Sequence, residues 1–455
     1  MRVVILEERL CECLNRAKAA HRAWSVRRVS SRLSPALRVE FRHRELRAES
    51  CPSRTHPRSV KAPASVNMVE TSTEAGTVKI PASFRRLVAR RTGNSFRDVA
   101  EVEEISTPKL EAGQVLVQII YAGVNGGCET FRARGEFAFA KNKEKDLFGL
   151  GAEGVGIVAA LGAGVDKLQV GQAVTTAGAN AFAEYVVASG DSCYPVREAT
   201  GEAVAVSLSG LTAAGALEVK GEMKEGDTVL VTAAAGATGS FGVQLAKLAG
   251  CHVVATVGSP EKAAIVKELG ADRIINYHEE DVAQVLSEEY PERIDIAYEG
   301  VGGRLRDAVV DNLAPGGRLL AVGYISDYPH TKTSNSQNGT SVSSQPSSSG
   351  QHHENGNGKA GRLSSRLPPP HELMWQAQTL NFEGRTLYGN VWPTDPKRLQ
   401  AAKDNLFKRY YSGQIRALVD HTKKFHGVEQ VCDAIDFMLS GKALGKVVVD
   451  MRRQS

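Results

Sequence analysis

No uninterrupted apolar run in the 455 residues reaches the ~18 that a membrane-crossing helix needs, so no membrane span is expected. Cysteine is scarce and shows no pairing frame. The seven lie at 11, 13, 51, 128, 193, 251 and 432, an odd number with no secretory signal ahead of them. No disulfide framework is expected from this pattern, and a reducing compartment suits the chain. Cys11-Glu12-Cys13 lacks the spacer of a C-x-x-C redox motif. Basic charge is missing where a nucleic-acid-binding body would carry it. Residues 1–67 hold thirteen Arg and two Lys against six Glu, a net of +9, whereas the remainder has 41 basic and 45 acidic residues. A mildly acidic body argues against nucleic acid as a partner.

The basic leader needs its own account. It is rich in Arg and Ser, as a mitochondrial or plastid transit peptide is. Glu7, Glu8, Glu12, Glu40, Glu45 and Glu49 depart from the acid-poor composition of such peptides. Met68 opens MVETSTEAG, which reads as the start of a cytosolic protein. Three readings therefore stand: a targeting peptide, an unselected upstream extension, or a basic interaction tail. All three expect disorder over residues 1–80. The compartment follows the choice, mitochondrial or plastid under the first and cytoplasmic under the second. The final Arg-Arg-Gln-Ser is not a peroxisomal S-K-L signal.

What the chain does contain is centred on Asp227 to Gln244, DTVLVTAAAGATGSFGVQ. A β-branched run, Thr228 to Thr232, predicts a buried strand. Ala233 to Ala235, then Gly236, Gly239 and Gly242 at a spacing of three, lead into a helical run. Strand, glycine turn and helix form the context of a phosphate-binding loop: glycines admit a pyrophosphate, and the helix N-terminus offers free amides. The next strand, Cys251 to Val257, ends in Gly258 without the carboxylate that would hold both ribose hydroxyls of NAD. Ser259 and Lys262 stand where a 2′-phosphate would lie, which favours NADPH.

Upstream, from residue 81 to 206, short alternating strands with glycine turns predict a small β-barrel, among them Gln114 to Tyr121 and Glu153 to Leu161. From 207 to 393 strands alternate with helices, the rhythm of a doubly wound parallel sheet. Residues 328–370 interrupt it with a Ser/Asn/Gly/Gln-rich stretch, expected to be a disordered insertion in which His352-His353 is incidental. Thr379 to Tyr388 is expected as one strand. Residues 394–455, closing with Gly445-Lys446-Val447-Val448-Val449-Asp450, are expected to complete the first domain.

Taken in order, several motifs resemble the medium-chain dehydrogenase/reductase superfamily over Phe84 to Asp450. They are Tyr121-Ala-Gly-Val-Asn125, Gly151-Ala-Glu-Gly-Val-Gly-Ile-Val158, Ser209-Gly-Leu-Thr212, the alanine–glycine loop, Ile275-Asn-Tyr277 and Gly445-Lys446-Val447. The resemblance implies an α/β chain with a GroES-like β-barrel catalytic domain and a Rossmann cofactor domain, associating as a homodimer. Zinc members carry a Cys where this chain has Asn125 and a His at Ala152, and their structural cysteine cluster is absent here. The likeness is therefore to the zinc-free branch of quinone oxidoreductases and 15-oxoprostaglandin 13-reductases, with no metal site. Gly323-Tyr-Ile-Ser-Asp-Tyr328 and Tyr298-Glu-Gly-Val-Gly-Gly303 match that branch, except that Gly300 replaces a serine.

That likeness implies Asn125 near the nicotinamide amide, Lys262 and Tyr277 on the 2′-phosphate, and Tyr328 near the hydride as the donor to substrate oxygen. It also places Thr212, Ala235, Gly236, Thr238, Gly239 and Gly323 against the cofactor. The family's Asp beside the Asn is replaced by Gly126-Gly127-Cys128-Glu129. The implied activity is hydride transfer from NADPH to the C=C of an enone. A quinone acceptor, or a cofactor-binding protein without catalysis, including an RNA-binding one, is the alternative.

Overall fold

The computed structural model describes residues 80–136, 141, 143, 145–178, 180–328, 363–376, 379–392 and 395–453. All lie in the second of two units into which the chain divides, Ser72–Ser455. Residues 1–79 of the expected leader and 329–362 of the expected insertion fall outside the described residues.

The first half folds as β1 (Ser83–Ala89), β2 (Ala100–Ser106), β3 (Gln114–Gly123), β4 (Phe148–Gly149), β5 (Glu153–Leu161), β6 (Ala173–Ala177), β7 (Tyr185–Ser189) and β8 (Cys193–Pro195). All their pairings are antiparallel. Val115, Val117 and Ile119 on β3 share one buried apolar cluster with Val158, Val174 and Phe182, the barrel core. The chain returns to this layer at its end, because β16 (Val448–Asp450) lies antiparallel to β3 with Val448 opposite Gly123.

The second layer is a seven-stranded sheet. It contains β9 (Thr228–Val231), β10 (His252–Val257), β11 (Arg273–Asn276), β12 (Ile294–Glu299), β13 (Leu313–Ala321), β14 (Thr379–Phe382) and β15 (Arg385–Tyr388). The order β11-β10-β9-β12-β13-β15-β14 winds outward in both directions from β9. Along β9, Val229 and Val231 face one apolar cluster and Leu230 the other. Burial on both faces explains why this strand reads as continuously apolar rather than alternating. The loop after β9 therefore opens at the point where strand order reverses, where ligands of such sheets bind.

Four local features differ from expectation. One of the expected glycine turns, after the strand from Gln114, is more than a turn, since Gly126–Arg134 forms a helix, α1, closed by Gly135 in the left-handed region. Helix α2, Gly201–Lys220, runs across the boundary expected between residues 206 and 207. It is long and apolar enough to cross a membrane, but its apolar face is mostly buried in the core. Thr379 to Tyr388 is a hairpin rather than one strand, because Glu383 and Gly384 both take positive φ (46° and 74°) and turn the chain back. The end of the insertion is held: the Ser364 amide and hydroxyl both donate to Asp311, at 2.9 and 3.1 Å.

Candidate active site

Between barrel and sheet lies a cavity of about 1180 Å³. Asn125, Thr212, Ala235, Gly236, Thr238, Lys262, Tyr277, Gly323 and Tyr328 all line it. Ser259 and Gly239 do not, and their roles need restating.

Past β9 the backbone turns through Ala233, at φ 47°, and enters helix α3 (Ala237–Leu248) at Gly236, which provides no side-chain cap. The first-turn amides are thus left for a ligand, and the dipole favours an anion there. Gly239 works from behind: a Cβ on it would stand 2.5 Å from the Ala233 carbonyl oxygen. Its smallness lets the helix seat against the loop.

At the end of β10, helix α4 (Pro260–Glu268) begins. Ser259 is its N-cap, its hydroxyl accepting from the Lys262 amide at 3.3 Å. It lies off the cavity wall, and its role as a cap uses one acceptor position of the hydroxyl. Lys262 does face the cavity, its ammonium donating to the Gly441 carbonyl at 2.5 Å. Burial lowers its pKa. Together with the aromatic face of Tyr277, a half-buried cation suits a phosphate, which would restore the solvation the ammonium has lost.

On the barrel side, Asn125 precedes α1 and is tied to two residues that sequence reading did not single out for a role. Its Nδ2 donates to Glu153 Oε1 (2.9 Å) and to the Gly123 carbonyl (3.3 Å), and its Oδ1 accepts from Lys446 Nζ (2.7 Å). Lys446 and Glu153 form an ion pair of 2.5 Å with both side chains buried. Ser209, brought to the cavity by a π-helical turn over Val206–Gly210 of α2, lies 3.5 Å from Lys446 Nζ. For Lys446 and Glu153 the GKVVV and GAE motifs were the only sequence signal.

Tyr328 packs edge-on to Phe131 (5.6 Å) and Tyr324 (5.0 Å), with its hydroxyl beside Gly127 and Gly323. A Cβ on Gly127 would stand 2.9 Å from that oxygen, so the glycine makes room for it. Burial raises the phenol's pKa, and it remains a donor at any working pH. The loop carrying Gly300 is fixed by Glu299, whose Oε1 accepts from the amides of Val301 (2.7 Å) and Gly302 (2.9 Å). Cys128 also lines the cavity, but burial pushes its thiol up to about 12, so it is not a nucleophile.

Behind this wall, Glu129 is fully buried, with one oxygen accepting from the Ala152 amide at 3.1 Å and the other without a hydrogen-bond partner. Burial pushes its carboxyl from 4.5 to about 7. The folded protein therefore holds this proton more tightly than the unfolded chain does. The resulting stability is full below pH 4.5 and is lost as pH rises to about 7. The loss amounts to roughly 3 kcal/mol. Glu129→Gln should remove this contribution, so thermal melts from pH 4.5 to 7 should show a shallower fall in Tm than the wild type. Parallel Tm profiles would disprove it.

The cavity, the open helix terminus, the half-buried Lys262 and the absence of a carboxylate at the end of β10 fit a phosphorylated dinucleotide. A site of this kind on a Rossmann sheet joined to a barrel is that of a pyridine-nucleotide oxidoreductase. The family models for the alcohol dehydrogenase GroES-like domain and for zinc-binding dehydrogenase match residues 111–198 and 237–355. Prostaglandin reductase-3 of Mus musculus is 36% identical over 379 residues, covering 82% of this chain and 90% of that protein. A probable quinone oxidoreductase of Leishmania amazonensis is 33% identical over 376 residues, 82% and 99% of the two chains. The solved quinone oxidoreductase of Escherichia coli complexed with NADPH shares the fold at a TM-score of 0.61, with 22% identity over 80% of this chain and 99% of that one. The chain belongs to the medium-chain dehydrogenase/reductase superfamily. Although one matching model is named for zinc binding, no three His, Cys, Asp or Glu are grouped as metal ligands among the described residues.

Proposed function

We propose that the protein reduces the C=C bond of α,β-unsaturated carbonyl compounds with NADPH, without a metal. NADPH, when bound, supplies the hydride that the β-carbon of the acceptor receives. Negative charge then develops on the carbonyl oxygen, and the protein must stabilise it. The observation that carries this reading is the Tyr328 hydroxyl, a permanently protonated donor on the cavity wall beside Gly127 and Gly323. A preorganised donor in a water-poor site is worth more than the same donor in water. Phe131, Met374, Met438 and Ile325 give the acceptor an apolar wall, and the enolate carbon takes its proton from solvent.

A quinone places similar demands on the site, and relatives are named for each substrate. Following NADPH absorbance against a panel of enones and quinones, before and after dialysis against a chelator, tests both. Turnover of enones that survives dialysis supports the proposal. Faster quinone turnover favours the second reading. Negligible rates on every acceptor, with tight NADPH binding, would leave a cofactor-binding protein.

Lys262 provides a cofactor test. A charge-assisted hydrogen bond contributes ~1.5–3 kcal/mol, so Lys262→Ala should raise KM for NADPH by ~10–100-fold and leave KM for NADH unchanged. Equal changes for the two coenzymes would remove Lys262 from the phosphate site.

A further inference from the structure

Asn125 can present only one kind of group to the cavity. A carboxamide has two donor hydrogens and two acceptor positions. Both hydrogens are used, by Gly123 and Glu153, and one acceptor position is used by Lys446. One acceptor position on Oδ1 is left. Charge dictates this orientation, because a flipped amide would aim its hydrogens at the Lys446 ammonium and its oxygen at the Glu153 carboxylate. Lys446 itself does not line the cavity, though its neighbours Gly445 and Val447 do.

The backbone at the same point grips the phosphate loop. The Gly445 amide donates to the Ala235 carbonyl at 2.8 Å, while the Lys446 amide donates to Leu418 and its carbonyl accepts from Asp420. Lys446 thus joins the wall that carries Asn125 to the loop at Gly236. With Lys262 and Tyr277 assigned to the 2′-phosphate and the loop to the pyrophosphate, the wall of Asn125, Ser209 and Gly323 is left for the nicotinamide end.

We propose that Lys446, with Glu153, is a positioning residue that holds Asn125 as a hydrogen-bond acceptor for the carboxamide N–H of nicotinamide, fixing the rotation of the ring. It acts through Asn125 and touches no cofactor atom. This rests on the NADPH reading above.

The test is a binding comparison. NADPH and 2′,5′-ADP, which has the phosphorylated adenosine end but no nicotinamide, are titrated by calorimetry into wild type, Lys446→Met and Lys446→Met/Glu153→Gln. The double variant removes both charges together and leaves no lone buried ion. It should bind 2′,5′-ADP within about twofold of wild type and NADPH ~10-fold more weakly, the loss of one hydrogen bond. Asn125→Leu, which leaves both charged residues in place, should show the same selective loss. Unchanged NADPH affinity, or equal weakening of both ligands, would overturn the assignment. A wild type that binds neither ligand would instead sink the NADPH reading itself.

Discussion

Gly239→Val is expected to weaken NADPH binding by ~100-fold or more, read as Kd in a fluorescence titration. The new Cβ would meet the Ala233 carbonyl oxygen at 2.5 Å and the Ala234 Cα at 2.9 Å. Both are backbone atoms of the phosphate loop, so no side chain can swing aside to relieve the clash. Overpacking of this kind costs ~1–3 kcal/mol, and the helix can relieve it only by moving away from the loop. The amides of α3 would then miss the anion, and each charge-assisted bond lost adds ~1.5–3 kcal/mol. Gly242→Ala is the control, because a Cβ there meets Val231 and Tyr298 at 3.5 and 3.6 Å, ordinary contact distances. It should bind NADPH as wild type does. Similar affinities for Gly239→Val and wild type would show that close approach of helix and loop is not what the glycine provides.

That contrast shows how far the sequence could be read. Gly236, Gly239 and Gly242 look alike at a spacing of three, and the strand–turn–helix context expected there is present and opens on the cavity. Which glycine is sterically required depends on the path of Ala233, which no local pattern encodes. Strands buried on both faces, such as β9 and β10, were legible because β-branched residues crowd there. Helix α1 was not: two glycines open it, and it buries Glu129 and Arg132, so its inner face does not look apolar. The hairpin of β14 and β15 hid for a related reason, with a glutamate at φ 46° in its turn.

The site itself was legible wherever a residue acts close to its own motif. Lys262, Tyr277, Thr238 and Tyr328 all reach the cavity. Lys446 and Glu153 were seen only as letters in GKVVV and GAE. Their partnership spans most of the chain and exists only because β16 comes back beside β3. Ser259, by contrast, lies off the cavity wall. A serine ahead of Pro-Glu-Lys at a helix start is a capping residue by local chemistry alone, and its hydroxyl accepts from the Lys262 amide in that role.

Tyr328→Phe should lower kcat by ~10²–10³-fold, the effect of removing one preorganised donor from a developing oxyanion. The ring's contacts with Phe131 and Tyr324 survive the change, so the melting temperature should hold within a few degrees. KM for NADPH should stay within about twofold, because the phosphate-binding groups at Lys262 and Gly236 are untouched. The pH profile separates a donor from a proton carrier. Burial keeps the phenol protonated across the working range, so wild type and variant should show kcat profiles of the same shape, displaced vertically. An ionisation lost in the variant would mean that Tyr328 carries the proton rather than donating a hydrogen bond. Turnover within threefold of wild type would remove Tyr328 from the chemistry, and stabilisation of the enolate would then have to come from the backbone around Gly323 or from water.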